Sequence, residues 1–142
     1  MKIVYCFAVC DLLHVGHILA FENAKKLHGD CKLIVGVLTE SAVCEKKPKP
    51  TLSFNERRKL VESLRCVDCV VTQDTYSPIK NIKLIRPDVL MESDSHSDKD
   101  LEETKKIAAS IGCKVQVMPY FTEQSSTNIK KEVMKNEKQR NT

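Results

Sequence analysis

No apolar run in this chain is long enough to cross a bilayer. The longest, Ile3 to Cys10, falls well short of the roughly 20 residues a membrane helix needs. It also leads into a polar motif rather than a cleavage site, so neither a membrane span nor a secretory leader is expected, and a cytoplasmic location is. Aromatic residues are missing from the basic tail, where Lys130, Lys131, Lys135, Lys138 and Arg140 outnumber Glu132 and Glu137. Without rings to stack on bases, that tail reads as a solvated helix end and not as a nucleic-acid stripe. The net charge of +4 is mild and favours a small anionic substrate. Cys66 and Cys69 form a lone Cys-x-x-Cys with no second pair to complete a metal site. The seven cysteines are an odd number and, with no leader, read as reduced thiols. There is no internal repeat and no linker. A chain of 142 residues is then one domain, over residues 1–135, with a polar tail at 136–142.

What is present is an alternation of strands and helices. Strands are expected at Lys2–Ala8, Cys31–Leu38, Cys69–Thr72, Asp88–Met91 and Lys114–Met118, the last with Val115 and Val117 inward. The first is apolar on both faces, as a central parallel strand covered on each side must be. A helix over Val15–Leu27 repeats apolar residues at Ile18, Phe21 and Ala24 and stops at Gly29. Ser53-Phe54-Asn55-Glu56 is a capping box opening a helix to about Leu64, with Leu60, Val61 and Leu64 as its buried stripe and Arg57 and Arg58 as surface charge. Ser77 caps a helix whose first residue is Pro78, with Ile79 and Ile82 inward and Pro87 ending it. Leu101, Thr104, Ala108 and Ile111 mark another, closed by Gly112. Residues 39–51 hold Lys46-Lys47-Pro48-Lys49-Pro50 and read as a basic flap, too proline-rich for a helix and too charged for a core strand. A last helix starts at Ser125-Ser126-Thr127, and beyond Lys135 the chain is expected to fray. The pattern is α/β: an open five-stranded parallel sheet with helices on both faces.

The chemistry gathers where the first strand hands over to the first helix, at Ala8-Val9-Cys10-Asp11-Leu12-Leu13-His14-Val15-Gly16-His17. Such a junction presents unpaired backbone N–H groups and the positive end of a helix dipole, which suits a phosphate. His14 and His17, three apart, share one side of the first turn, and Gly16 between them leaves room for close approach. Asp11 is placed to orient an imidazole, contact a metal-bound phosphate or cap the helix. Spacing alone fits a structural pair or half of a zinc site equally well. His28 lies eleven residues beyond His17, about 16 Å along a continuous helix, so only His96 or a cysteine is left to complete such a site.

Asp11-Leu12-Leu13-His14-Val15-Gly16-His17 resembles the signature of the cytidylyltransferase family within the nucleotidylyltransferase superfamily, most of all the glycerol-3-phosphate cytidylyltransferases. The similarity extends to Arg57-Arg58-Lys59-Leu60-Val61-Glu62-Ser63-Leu64-Arg65-Cys66-Val67-Asp68 and to Ser125-Ser126-Thr127-Asn128-Ile129, and runs to about Val133. It implies a Rossmann-like fold and transfer of CMP from CTP to a small phosphate-bearing acceptor with release of pyrophosphate, adenylyl transfer from ATP to a metabolite such as FMN being the alternative within the superfamily. It also implies Mg²⁺ with the triphosphate and a homodimer, with no metal assigned to protein side chains; the charge pattern and run lengths already argue against a nucleic-acid or membrane partner. By the same resemblance His14, His17 and Lys46 are catalytic. Ala8, Val9, Cys10, Asp11, Gly16, Asp94, Thr122, Ser125, Ser126 and Thr127 bind nucleotide, Lys49 is the spare lysine, and Arg65 and Asp68 lie near the site or the subunit contact.

Three departures stand out. Ala8-Val9-Cys10 replaces the family's Gly-Thr-Phe, which removes a hydroxyl. Phe121 stands where an arginine is usual, which removes a bidentate phosphate ligand and raises a further alternative, a nucleotide-binding module with weakened catalysis. Ser93-Asp94-Ser95-His96 replaces a Gly-Asp-Asp-Trp-like run, so the acceptor is expected to differ.

Overall fold

The computed structural model describes residues 1–93, 98–118 and 126–140. In chain order they form β1 (Lys2–Ala8), α1 (Val15–His28), β2 (Cys31–Leu38), α2 (Glu40–Cys44), α3 (Phe54–Glu62), β3 (Cys69–Gln73), α4 (Ile79–Ile85), β4 (Val89–Ser93), α5 (Asp98–Ser110), β5 (Lys114–Met118) and α6 (Ser126–Arg140). The five strands are all parallel, in the order β3-β2-β1-β4-β5, the open α/β sheet that the sequence pattern implies. From β1 the chain builds outward to β2 and β3, then crosses back to place β4 on the other side. The C-terminal ends of β1 and β4 therefore flank the point where the order reverses, which is where ligands collect in such sheets.

Strand alternation sorts side chains onto two faces. On one, Val4, Leu33, Val35, Val37, Val89 and Met91 pack with Phe21 and Ala24 of α1 and Val61 of α3. On the other, Tyr5 and Leu90 pack with Ile82 of α4 and Ala108 of α5. Each such apolar side chain contributes roughly 1.5–3 kcal/mol by leaving water. A polar chain is threaded through the second face: the Tyr5 hydroxyl donates to Gln73 Oε1 at 2.5 Å and accepts from Asn81 Nδ2 at 2.9 Å. Gly36 makes room for that ring, since a Cβ there would lie 2.0 Å from the Tyr5 oxygen.

Several local expectations are corrected. Residues 39–51 are not all loop, because Thr39 caps the short helix α2, its hydroxyl accepting from Ala42 N at 3.2 Å. Leu60 is 41 % exposed while Arg57 is wholly buried, so the inner stripe of α3 is Arg57 and Val61. Helix α4 begins at Ile79, with Pro78 in the capping position and Ser77 Oγ accepting from Ile79 N. It ends one residue ahead of Arg86, whose left-handed backbone (φ 52°) precedes Pro87. Val117 is exposed on the rim strand β5. Helix α6 continues through residues 136–140, exposed over its last ten residues. Among the described residues no helix is long and apolar enough to cross a membrane.

Candidate active site

At the end of β1 the backbone turns twice through the left-handed region, at Cys10 (φ 58°) and Leu12 (φ 47°). Neither is glycine, and such positions cost about 1–3 kcal/mol each unless their surroundings hold them. Asp11 lies between the two and supplies that hold. Its carboxylate is buried and accepts from Thr51 N and Leu52 N, both at 2.9 Å, and from Lys130 Nζ of α6 at 2.7 Å. Burial alone would push the Asp11 carboxyl up, but the Lys130 ammonium and the two N–H donors outweigh it and leave it below the usual range.

The histidines cap their own helix. His14 is the N-cap residue, in extended conformation. Its Nδ1 accepts from Gly16 N at 3.0 Å, and His17 Nδ1 accepts from His14 N at 3.2 Å. This is a capping box with imidazoles in both places. Each accepting Nδ1 must be unprotonated, so each neutral ring carries its proton on Nε2. The rings lie 4.0 Å apart, centroid to centroid, tilted by 41°. Burial holds His14 below its ordinary value. Burial, reinforced by His14 and opposed by Asp11, brings His17 down to about 4. The arrangement offers two uncharged N–H donors at a helix start.

Around this turn the expected residues divide. Ala8 closes β1, and the Val9 carbonyl accepts from Arg57 Nη1 at 2.8 Å. Cys10 is buried, its thiol pushed up to about 12 by burial. Gly16 is buried in the first turn of α1. Lys46 is turned toward α5, its ammonium 2.7 Å from Asp100 Oδ2 and 5.5 Å from the centre of the Tyr76 ring. Lys49 makes only a long, exposed ion pair with Glu40 at 3.8 Å. Arg65 is exposed. Asp68 accepts from Leu33 N at 2.8 Å and pairs with Lys25. Leu33 is near the start of β2, so Asp68 sits toward the N-terminal ends of the strands, away from the histidines, where it straps β2 to α1. Asp94, Thr122 and Ser125 lie outside the described residues, as do His96 and Phe121. Ser126 and Thr127 open α6.

Sequence reasoning missed Arg57. Buried without exposure, it donates from Nε to Leu52 O at 3.1 Å and from Nη1 to Val9 O at 2.8 Å and Leu38 O at 2.6 Å. One guanidinium thereby ties the ends of β1 and β2 to the segment before α3. It missed Glu92 as well, buried near the end of β4, its carboxyl pushed up to about 7 by burial and the Asp100 charge against a Ser93 N–H. The only signal for Glu92 was an acid inside an apolar strand.

Among the described residues no group of three His, Cys, Asp or Glu could hold a metal ion, and both imidazole Nδ1 atoms are already engaged.

The model of the cytidylyltransferase-like family matches residues 6–133. The bifunctional protein HldE of Aliarcobacter butzleri is 32 % identical over 139 residues, covering 96 % of this chain and 28 % of that protein. HldE of Helicobacter pylori is 38 % identical over 102 residues, covering 70 % of this chain and 22 % of its own length. The chain thus spans about a quarter of the curated relatives it matches. The crystal structure of the lipopolysaccharide core biosynthesis protein from Thermoplasma volcanium superposes with a TM-score of 0.71 at 27 % identity, covering 85 % of this chain and 97 % of that one. The family match begins inside β1 and ends within α6, taking in every element around the histidine turn, and it shows that this chain belongs to the cytidylyltransferase-like family.

Proposed function

We propose that the chain transfers a nucleotidyl group, CMP from CTP in the first instance, to a small phosphate-bearing acceptor and releases pyrophosphate. An acceptor phosphate oxygen forms a bond to the α-phosphorus while the bond from that phosphorus to the bridging oxygen of the β-phosphate breaks. The attacking oxygen is already anionic, so no base is required. The demand on the protein is alignment, together with donors for the charge on the α-phosphate and the leaving group. The single observation carrying this reading is the reciprocal histidine cap, which leaves two Nε2–H donors at the mouth of α1.

In this reading His14 and His17 donate to the transferring and leaving phosphates. Lys46, released from Asp100, bridges acceptor and α-phosphate. Ser125, Ser126, Thr127 and Thr122 meet the triphosphate, Asp94 the nucleotide, and Arg65 the subunit contact of a homodimer. Adenylyl transfer from ATP is the second reading. It stays open because the family match shows the cytidylyltransferase-like domain and leaves the nucleotide undecided. The acceptor is glycerol 3-phosphate or a related phosphate or phosphonate, and the lipopolysaccharide role named for the Thermoplasma protein supports including sugar phosphates.

A pyrophosphate-release screen decides among these by crossing CTP, ATP, GTP and UTP, each with Mg²⁺, against glycerol 3-phosphate, sugar 1-phosphates, phosphonates and FMN. Release with CTP that depends on an acceptor supports the first reading, and release with ATP alone moves the assignment to the second. Binding of a triphosphate without release under any acceptor overturns both and leaves a nucleotide-binding module.

A further inference from the structure

Three separate stretches of chain end on one carboxylate. Asp11 belongs to the turn that leads into the histidine cap. Thr51 and Leu52 close the segment that carries Lys46, and Lys130 lies on α6, 119 positions from Asp11. The Asp11 side chain is 5 % exposed and that of Lys130 42 %, so the ammonium lies over the carboxylate from the solvent side. The left-handed residues on both sides of Asp11 make this position sensitive to whatever holds it. Asp11 is also close enough to His17 for its charge to act on that ring.

We infer that Lys130 is a positioning residue for nucleotide binding, the outer half of a buckle with Asp11 that seats α6 against the histidine turn and locks the 39–53 segment to both. Two consequences follow from charge and geometry. With Lys130 in place, Asp11 presents little net negative charge to an incoming triphosphate, and α6 is tied to the histidine turn. With the lysine removed, the carboxylate keeps its Thr51 and Leu52 donors but loses the opposing charge, and α6 loses that tie. The lysine acts through Asp11 and touches no substrate. Because it shapes the ground-state site more than the reacting atoms, its loss appears in KM far more than in kcat. This inference rests on the nucleotidyl-transfer reading for its kinetic half only.

The test compares Lys130→Met, Lys130→Arg, Asp11→Asn and the double variant Asp11→Asn/Lys130→Met with the native chain. Lys135→Met, exposed on the same helix, is the control. Lys130→Met raises KM for the triphosphate about tenfold and changes kcat less than threefold, Lys130→Arg restores KM to within about twofold, and the double variant is no worse than the poorer single one. Amide hydrogen exchange reads the buckle with no substrate present: the Thr51 and Leu52 amides and those of α6 exchange about tenfold faster in Lys130→Met and not in Lys135→Met. Unchanged exchange at Thr51 and Leu52 overturns the buckle whatever the activity. Faster exchange with an unaltered triphosphate KM overturns its role in binding. If the native chain turns over no triphosphate, the nucleotidyl-transfer reading fails, and the exchange result still decides the buckle.

Discussion

An imidazole at a helix N-cap is uncommon, and using two of them reciprocally has a chemical consequence. A serine or aspartate in the same place would satisfy the same backbone donors but leave nothing facing outward. Here the cap engages Nδ1 of each ring and leaves the proton on Nε2, so the structural role fixes the tautomer that the proposed transfer requires. With His17 near 4 and burial holding His14 below its ordinary value, both rings are neutral at pH 8 and offer N–H donors. Imidazole ¹⁵N spectra at pH 8 are expected to show both protons on Nε2, and a ring protonated on Nδ1 at that pH would sink the assignment. The cap and the donor separate by substitution. His14→Asn keeps a good N-cap and should hold stability within about 0.5 kcal/mol, while losing roughly 10²- to 10³-fold in kcat because no donor reaches the phosphate. His17→Ala should lose as much turnover.

At the scale of elements, the frame was legible and its fastenings were not. Strands β1, β2 and β5 lie where the apolar runs put them, and α1 follows from Ile18, Phe21, Ala24 and Gly29, because each depends on residues near one another in sequence. Helix α2 escaped because five residues beside a proline-rich stretch are too few to show a period. Arg57 read as surface charge because its partners, Val9, Leu38 and Leu52, come from three segments that only the folded sheet brings together. The His pair stood out in the sequence from its motif and opens α1 as a cap, whereas the Lys130 partner of Asp11 has no local signature at all. Arg57 also carries the clearest prediction at this scale. Arg57→Met fills similar volume but strands three carbonyls with no donor among the described residues. Urea unfolding should show a loss of about 3 kcal/mol, with Arg57→Lys intermediate because one ammonium cannot span the same three acceptors. A loss under about 0.5 kcal/mol would mean that the ends of β1 and β2 are fixed by something else.

For the whole molecule, two titratable groups near the crevice, Glu92 and His17, pull in opposite directions. Glu92 keeps its proton up to about 7, against roughly 4.3 in an unfolded chain. Its contribution is therefore complete below the unfolded value and is lost as pH rises toward 7. His17, brought down to about 4, takes up a proton more readily when unfolded, so its contribution is present above roughly 6.5 and is lost as pH falls toward 4. The windows overlap, and each effect is worth about 3 kcal/mol in full, of which about 2 kcal/mol falls between pH 4.5 and 6.5. Their sum is nearly flat between them, so the native chain should show little change in unfolding free energy from pH 4.5 to 6.5. Glu92→Gln removes one arm and should uncover a rise of about 2 kcal/mol with increasing pH across that interval. His17→Asn removes the other and should uncover a fall of similar size. Urea titrations at half-unit pH steps on the three proteins measure both slopes. Parallel curves for all three would show that neither group titrates between folded and unfolded states as its burial requires, and that the crevice between β1 and β4 is open to water at its floor.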